Sequence, residues 1–364
     1  MSSKQVSIVI VTYNSSWERV RATVNSAMMQ KGIDFEIVVS DDGSADNYFK
    51  KIEVLFHKYE FTNYRLIPHV ENQGIVLNFL DAVEQSRGEY IRGIGQGDMF
   101  FDEYTVRDSY KKAVTSGADV VLSKAVCYRK HYGAIELVPR DSWTPLNDRK
   151  ALGNRDYIRF YRLSLLGAST FYKRDTLLTY LSELAGRIKY NEDHAVRLMA
   201  LDDRKIFFIE RNTVYYEVGP GISTSGNDWS SSALRLDQKA YSQLLLERLS
   251  HRSDLPWVEK LKLLINVEYK KGFIPFLDRE TVVDLLYKLS PEEFTKQCNR
   301  LYKIRGKYPR KMSLWDKIRC GVELFTVPEM FFRILKGKLL QRMNRVMTDT
   351  NVSTAFAELC MSRE

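Results

Sequence analysis

The sequence is short of the features that would fix a class early. Its four cysteines, Cys127, Cys298, Cys320 and Cys360, are scattered through 364 residues with no paired spacing. That argues against a disulfide framework and a zinc site and fits a reducing compartment. No stretch approaches 18 uninterrupted apolar residues, so no membrane-spanning helix is expected. The apolar run from Val6 to Val11 has only strand length and lacks the flanks of a signal peptide. No internal repeat or low-complexity tract is present. What remains is a globular composition, 44% hydrophobic and 28% charged, in a chain long enough for one large domain and an accessory one.

Charge is unevenly spread. Residues 301–345 hold twelve Lys/Arg and three acids, an excess equal to the whole net charge of +9. A basic tail on a neutral body predicts an anionic partner for the tail. Within it, a helix begun at Pro328 lines up Phe331, Phe332, Leu335, Leu339, Met343 and Val346 on one face. Arg333, Lys336, Arg342 and Arg345 fall off that face. Such a helix suits either a membrane interface or its own domain. The expectation is a cytoplasmic protein, peripheral on the inner membrane face through residues 301–346. Nucleic acid is disfavoured, since no base-reading motif accompanies the charge.

The first hundred residues alternate strand with helix. "VSIVIV" (6–11), "FEIVV" (35–39), "YRLIPH" (64–69) and "EYIRGI" (89–94) read as strands, separated by helical stretches. Strands apolar on both faces, alternating with helices, predict a mostly parallel, Rossmann-like sheet flanked by helices. Ligands then bind beyond the carboxyl ends of the strands. Those ends carry "TYN" (Thr12, Tyr13, Asn14), "SDDGSADN" (40–47), "ENQG" (71–74) and "GQGD" (95–98). All are polar, and two carry acids, which predicts one shared site. The glycine-, serine- and proline-rich segment 219–232 reads as a boundary or lid. Helical periodicity follows it. The expected domains are therefore 1–230, catalytic, and 231–364, helical.

Local readings accompany the pattern. Asp41 is expected to form a turn or cap with Ser44. Asp102 and Glu103 are expected to cap a helix starting near Tyr104, and Asn191 one carrying Glu192 and Asp193 in its first turn. Arg87 reads as a favourable terminal charge and His194 as a helix-surface residue.

In order, "SIVIVTYNSSWERVRATVNSAMMQ", "FEIVVSDDGSADN", "NQGIVLNFLDAVEQSRGEYI" and "NED" resemble the signature of family-2 glycosyltransferases with the GT-A fold. The resemblance covers roughly residues 6–225 and does not reach the helical last third. It implies an inverting transferase using a nucleotide-sugar, with a UDP-sugar the expected donor. Asp42 would accept a hydrogen bond from the uracil ring. Tyr13 would pack on the base, and Thr12 and Asn14 would contact the nucleoside. Asn72 and Gly74 would lie at the diphosphate edge, and Gly167, Ala168 and Ser169 would line the donor-sugar or acceptor side. Ser223 and Thr224 would close over phosphate. Asp193 would be the general base that takes the acceptor hydroxyl proton, with Glu192 beside it aimed elsewhere.

The family's loop after the fourth strand implies a Mn²⁺ or Mg²⁺ ion bridging the donor phosphates. Here the usual second acid falls on Gly97, which leaves Asp98 as the expected ligand. No counterpart of the family's late metal-binding histidine is present in "YYEVGPGISTS". A metal-free site, with phosphate met by basic side chains or backbone N–H groups, is the alternative. The expected acceptor is a saccharide or lipid-linked saccharide in cell-surface polysaccharide synthesis. A catalytically inactive GT-A-like scaffold subunit is the second reading, favoured by the depleted acidic loop.

Overall fold

The computed structural model describes residues 4–129, 133–139, 147, 166–219, 232–253 and 355–363. The basic tail helix, Ser223 and Thr224 lie outside them. Two compact units are present. One comprises Met1–Leu152, Ser164–Asp237 and Arg345–Glu364; the other comprises Gly153–Leu163 and Gln238–Asn344. The end of the chain, expected within a helical region 231–364, therefore groups with the first unit.

The first unit opens with β1 (Lys4–Thr12), α1 (Trp17–Met28), β2 (Phe35–Asp41), α2 (Phe49–Lys58), β3 (Tyr64–Pro68), α3 (Ile75–Glu84) and β4 (Gly88–Gly95). These four strands lie parallel in the order β3-β2-β1-β4. Every residue of β2 is buried, because helices cover both faces of the sheet. That is why these strands read as continuous apolar runs rather than alternating ones.

The second half of the sheet is mixed. It is built from β5 (Met99–Phe100), β6 (Val120–Arg129), β7 (Gly133–Val138), β8 (Thr170–Lys173) and β9 (Ile206–Glu217). β8 runs antiparallel between β4 and β6, β9 is parallel to β6, and β5 is antiparallel to β9. A 3-10 turn at Gly167–Ser169 leads into β8. Helices α4 (Thr105–Ser116), α5 (Arg174–Leu184) and α6 (His194–Leu201) complete the wrapping, and α7 (Ser232–His251) and α8 (Ala355–Ser362) follow.

Helix α8 docks on the first unit. Its Ala357 and Cys360 are buried with Ala22, Met99, Val126 and Tyr215. Asn25 on α1 donates to the Cys360 and Arg363 carbonyls at 3.0 and 2.7 Å, satisfying carbonyls that a helix end leaves open. Cys127 and Cys360 are buried free thiols. Among the described residues, no helix is long and apolar enough to cross a membrane.

Three local expectations need correction. Arg87 pairs with fully buried Glu36 at 2.6 Å, and Ser7 Oγ donates to the same carboxylate. It is the counter-ion of a buried acid, a more demanding task than favouring a helix end. His194 is buried, and burial holds its imidazole well below the usual value. Asn191 does not cap a helix that includes Glu192 and Asp193. The residues 191–193 form a turn whose carbonyls accept from the amides three positions on, and α6 begins at His194.

Candidate functional site

The polar ends of β1 to β4 are joined side chain by side chain. Thr12 Oγ1 donates to Asp41 Oδ2 at 2.8 Å. Asp41 also accepts the Ser44 amide and hydroxyl at 2.8 and 2.7 Å, which is the expected turn. Asn14 receives support from the same serine, its amide donating to Ser44 Oγ at 2.7 Å. The Tyr13 amide donates to Gln96 Oε1 at 2.7 Å, and Gln96 Nε2 returns a bond to the Tyr13 carbonyl at 2.9 Å. This clamp fixes the Tyr13 backbone between two strand ends and leaves its ring 40% exposed.

Asp42 is turned inward. Its carboxylate, on a residue only 3% exposed, accepts from Asn72 Nδ2 at 2.9 Å, the Gln73 amide at 2.7 Å and the Gly74 amide at 3.0 Å. Burial raises its pKa, while the two amides oppose the shift. Asp42 thus ties the end of β2 to the start of α3. Gly74 stands there with φ +95°, and a side chain on it would run into Lys189. Lys189 in turn accepts the Val76 amide on its carbonyl at 3.1 Å.

Lys189 opens the next segment. Its amide and that of Tyr190 donate to Asp237 at 2.9 and 2.6 Å. The turn carrying Glu192 and Asp193 follows. Glu192 lies against Gly167, where an added Cβ would overlap its carboxyl oxygen. Burial, and then the charge of Asp193, push the Glu192 carboxyl well above the usual range. Asp193 keeps a quarter of its side chain exposed. Ala168 and Ser169 are buried, and the Ser169 carbonyl accepts from Ser123 Oγ at 2.7 Å.

The loop that ends β4 is held from several sides. Thr23 Oγ1 accepts the Gly97 amide at 2.9 Å and donates to the Asp98 carbonyl at 2.7 Å. Tyr128 donates to the Gly97 carbonyl at 2.6 Å. Asp98, 6% exposed, accepts the Glu217 amide at 2.8 Å. Burial pushes its carboxyl up to about 8 against the pull of that amide.

A divalent cation suits this donor set poorly. Hard cations gather several oxygen ligands, and here one carboxylate, buried and engaged by the Glu217 amide, stands beside two glycines. Among the described residues, no group of three or more His, Cys, Asp or Glu could hold a metal ion.

Contacts thus run from Thr12 through Asp42 and Gly74 to Lys189, and from Tyr13 through Gln96, Arg19 and Glu217 to Asp98; Glu192, three positions after Lys189, lies against Gly167. Arg19, Gln96, Lys189, Asp237 and Glu217 belong to this site and have no signal in the sequence alone. The Arg19–Glu217 pair spans 198 positions, and no local pattern marks a partnership at that separation.

The mixed sheet flanked by helices, carrying this polar strand edge, is a GT-A-like fold. Residues 7–169 match the family described as Glycosyl transferase family 2. Over those residues the chain is similar to the family-2 glycosyltransferases. Enzymes of the fold commonly use a divalent metal.

Among curated relatives, a cholesterol galactosyltransferase of Borreliella burgdorferi is 28% identical over 124 residues, 34% of this chain. The match spans only 33% of that relative's length. Among solved structures, S. aureus TarS 1–349 in complex with UDP-GlcNAc aligns at TM-score 0.56 and 17% identity, covering 83% of this chain and 88% of that one. The same protein in complex with UDP aligns at TM-score 0.51 and 19% identity, covering 82% and 79%. These likenesses bear on the fold.

Proposed function

We propose that the chain transfers a sugar from a UDP-sugar to the hydroxyl of a saccharide or lipid-linked saccharide acceptor, with inversion at the anomeric carbon. The observation that carries the reading is the linked rim of strand ends, where Tyr13 is clamped to Gln96, Asp42 holds Gly74, and Glu192 lies against Gly167. A nucleotide, its phosphates and a reacting sugar need such a rim. The UDP and UDP-GlcNAc complexes of TarS support uridine as the nucleoside.

Roles divide along the rim. Tyr13 offers an exposed ring for a base to stack on. Asp42 keeps acceptor capacity beside its three bonds for a uracil N–H, with Thr12, Asn14 and Asn72 about it. Ser223 and Thr224 are assigned to closure over phosphate. Asp193, partly exposed at the start of α6, takes the acceptor proton as the hydroxyl oxygen attacks. The sugar–phosphate bond breaks with its electrons leaving on UDP. Glu192, its carboxyl raised by burial and by Asp193, lies beside it and contacts the sugar or the acceptor.

The wider setting belongs to the same proposal. The basic excess of residues 301–346 supports a peripheral position on an anionic inner membrane face and an acceptor in cell-surface polysaccharide synthesis. The catalytic domain is assigned to 1–230. Liposome flotation with anionic lipid tests the tail, since truncation at Trp315 should abolish it.

The function itself is tested by incubation with a panel of UDP-sugars and measurement of released UDP. Slow hydrolysis of one donor without acceptor is expected, by the chain as it stands. Binding of UDP with no release from any donor would favour the scaffold reading.

A further inference from the structure

Over Gly97 the fold sets an ion pair where a side chain would otherwise stand. Gly97 has φ +93°, and a Cβ added there would run into the Glu217 carboxylate and the Arg19 guanidinium. Those two form an ion pair, Arg19 Nε to Glu217 Oε2 at 2.7 Å. Arg19 Nη1 donates to Ser15 Oγ at 3.1 Å, and Nη2 donates to the Gln96 carbonyl at 2.9 Å. A guanidinium has five N–H groups. Three are placed, so each terminal nitrogen retains one. The side chain is 23% exposed, buried enough to be fixed and open enough to meet a ligand.

We propose that Arg19 is the cation that meets the donor diphosphate in this protein, in the place a divalent metal would take. The inference rests on the nucleotide-sugar reading and deepens it. Glycine at position 97 removes the acid that would present a metal, and the room is filled by the Arg19–Glu217 ion pair rather than left to solvent. Its two remaining N–H groups lie on the terminal nitrogens that pair best with phosphate oxygens. Glu217 holds the third nitrogen, and its amide binds Asp98 at 2.8 Å. Cation and loop are therefore tied into one unit. Because the charge is fixed before the donor arrives, it offsets the charge gathering on departing UDP without reorganisation.

The test is calorimetric binding of UDP and of uridine to the full chain, in EDTA and in Mn²⁺. UDP should bind in EDTA, with no gain from Mn²⁺. Arg19→Gln should weaken UDP at least about tenfold, the loss expected for a hydrogen bond to a charged group, and leave uridine unchanged. Glu217→Gln should bind UDP at least as tightly as wild type, since it removes the competing charge while a side-chain carbonyl still faces Nε. UDP binding that appears only with Mn²⁺ and disappears in Glu217→Gln would overturn the inference while sparing the nucleotide reading. Failure of UDP to bind under any condition would overturn both. The comparison of EDTA with Mn²⁺ uses wild-type protein alone, so it decides the matter even where Arg19→Gln fails to fold.

Discussion

Asp42 accepts the Gly74 amide at 3.0 Å, so the acid expected to read a nucleobase also anchors the start of α3. Asp42→Ala should therefore do two things. It leaves the Gln73 and Gly74 amides without their acceptor, a loss of about 1–3 kcal/mol, seen as a lower midpoint in denaturant. It should also weaken UDP binding. Asp42→Asn retains one acceptor oxygen and should lose less stability.

Asp193→Asn should abolish donor turnover to the acceptor and leave UDP affinity near wild type, because only the proton acceptor is lost. Calorimetry and a UDP-release assay on the same preparation separate the two effects. Wild-type turnover in this variant would remove Asp193 from the base role.

Glu192 gives a pH dependence of stability. Its folded-state carboxyl is raised by burial first and by Asp193 second, so the folded chain holds the proton more tightly than the unfolded chain. The stability this contributes is complete below the ordinary glutamate range and is lost as pH rises through the folded value. Thermal melts between about pH 5 and 9 should fall for wild type and fall less steeply in Glu192→Gln, the remaining slope belonging to Asp98, whose carboxyl is raised in the same sense.

The Glu36–Arg87 pair predicts a stability effect remote from the site. Glu36 is wholly buried, and Arg87→Ala would strand its charge. Breaking a buried pair costs about 3–5 kcal/mol. The Arg87 amide and Ser7 hydroxyl still serve Glu36, which puts the expected loss near about 3 kcal/mol. Urea melts would measure it, and activity per folded molecule should be unchanged.

How much of the molecule is legible in the sequence follows from the range of each interaction. β1 to β4 and α1 to α3 are readable because a strand covered on both faces must be apolar throughout, and "VSIVIV" and "FEIVV" are. The Asp41–Ser44 turn is a contact across three positions and is visible for the same reason. β5 to β8 do not read as strands. β5 has only two residues, and β8 pairs antiparallel with β4 and β6 across long separations. At the site, the acids stand out by type, but their partners do not. Asp98 reads as a metal-ligating acid beside glycines, and only the return of β9 reveals that the Glu217 amide binds it. His194 follows two acids in a polar string, and its burial depends on the packing of α6.

The account stands most directly on a crystal structure of the full chain with UDP. It predicts the uracil ring between Tyr13 and Asp42, and the diphosphate directed over Gly97 towards Arg19. UDP bound away from this strand edge, with Tyr13, Asp42 and Arg19 all untouched, would contradict it.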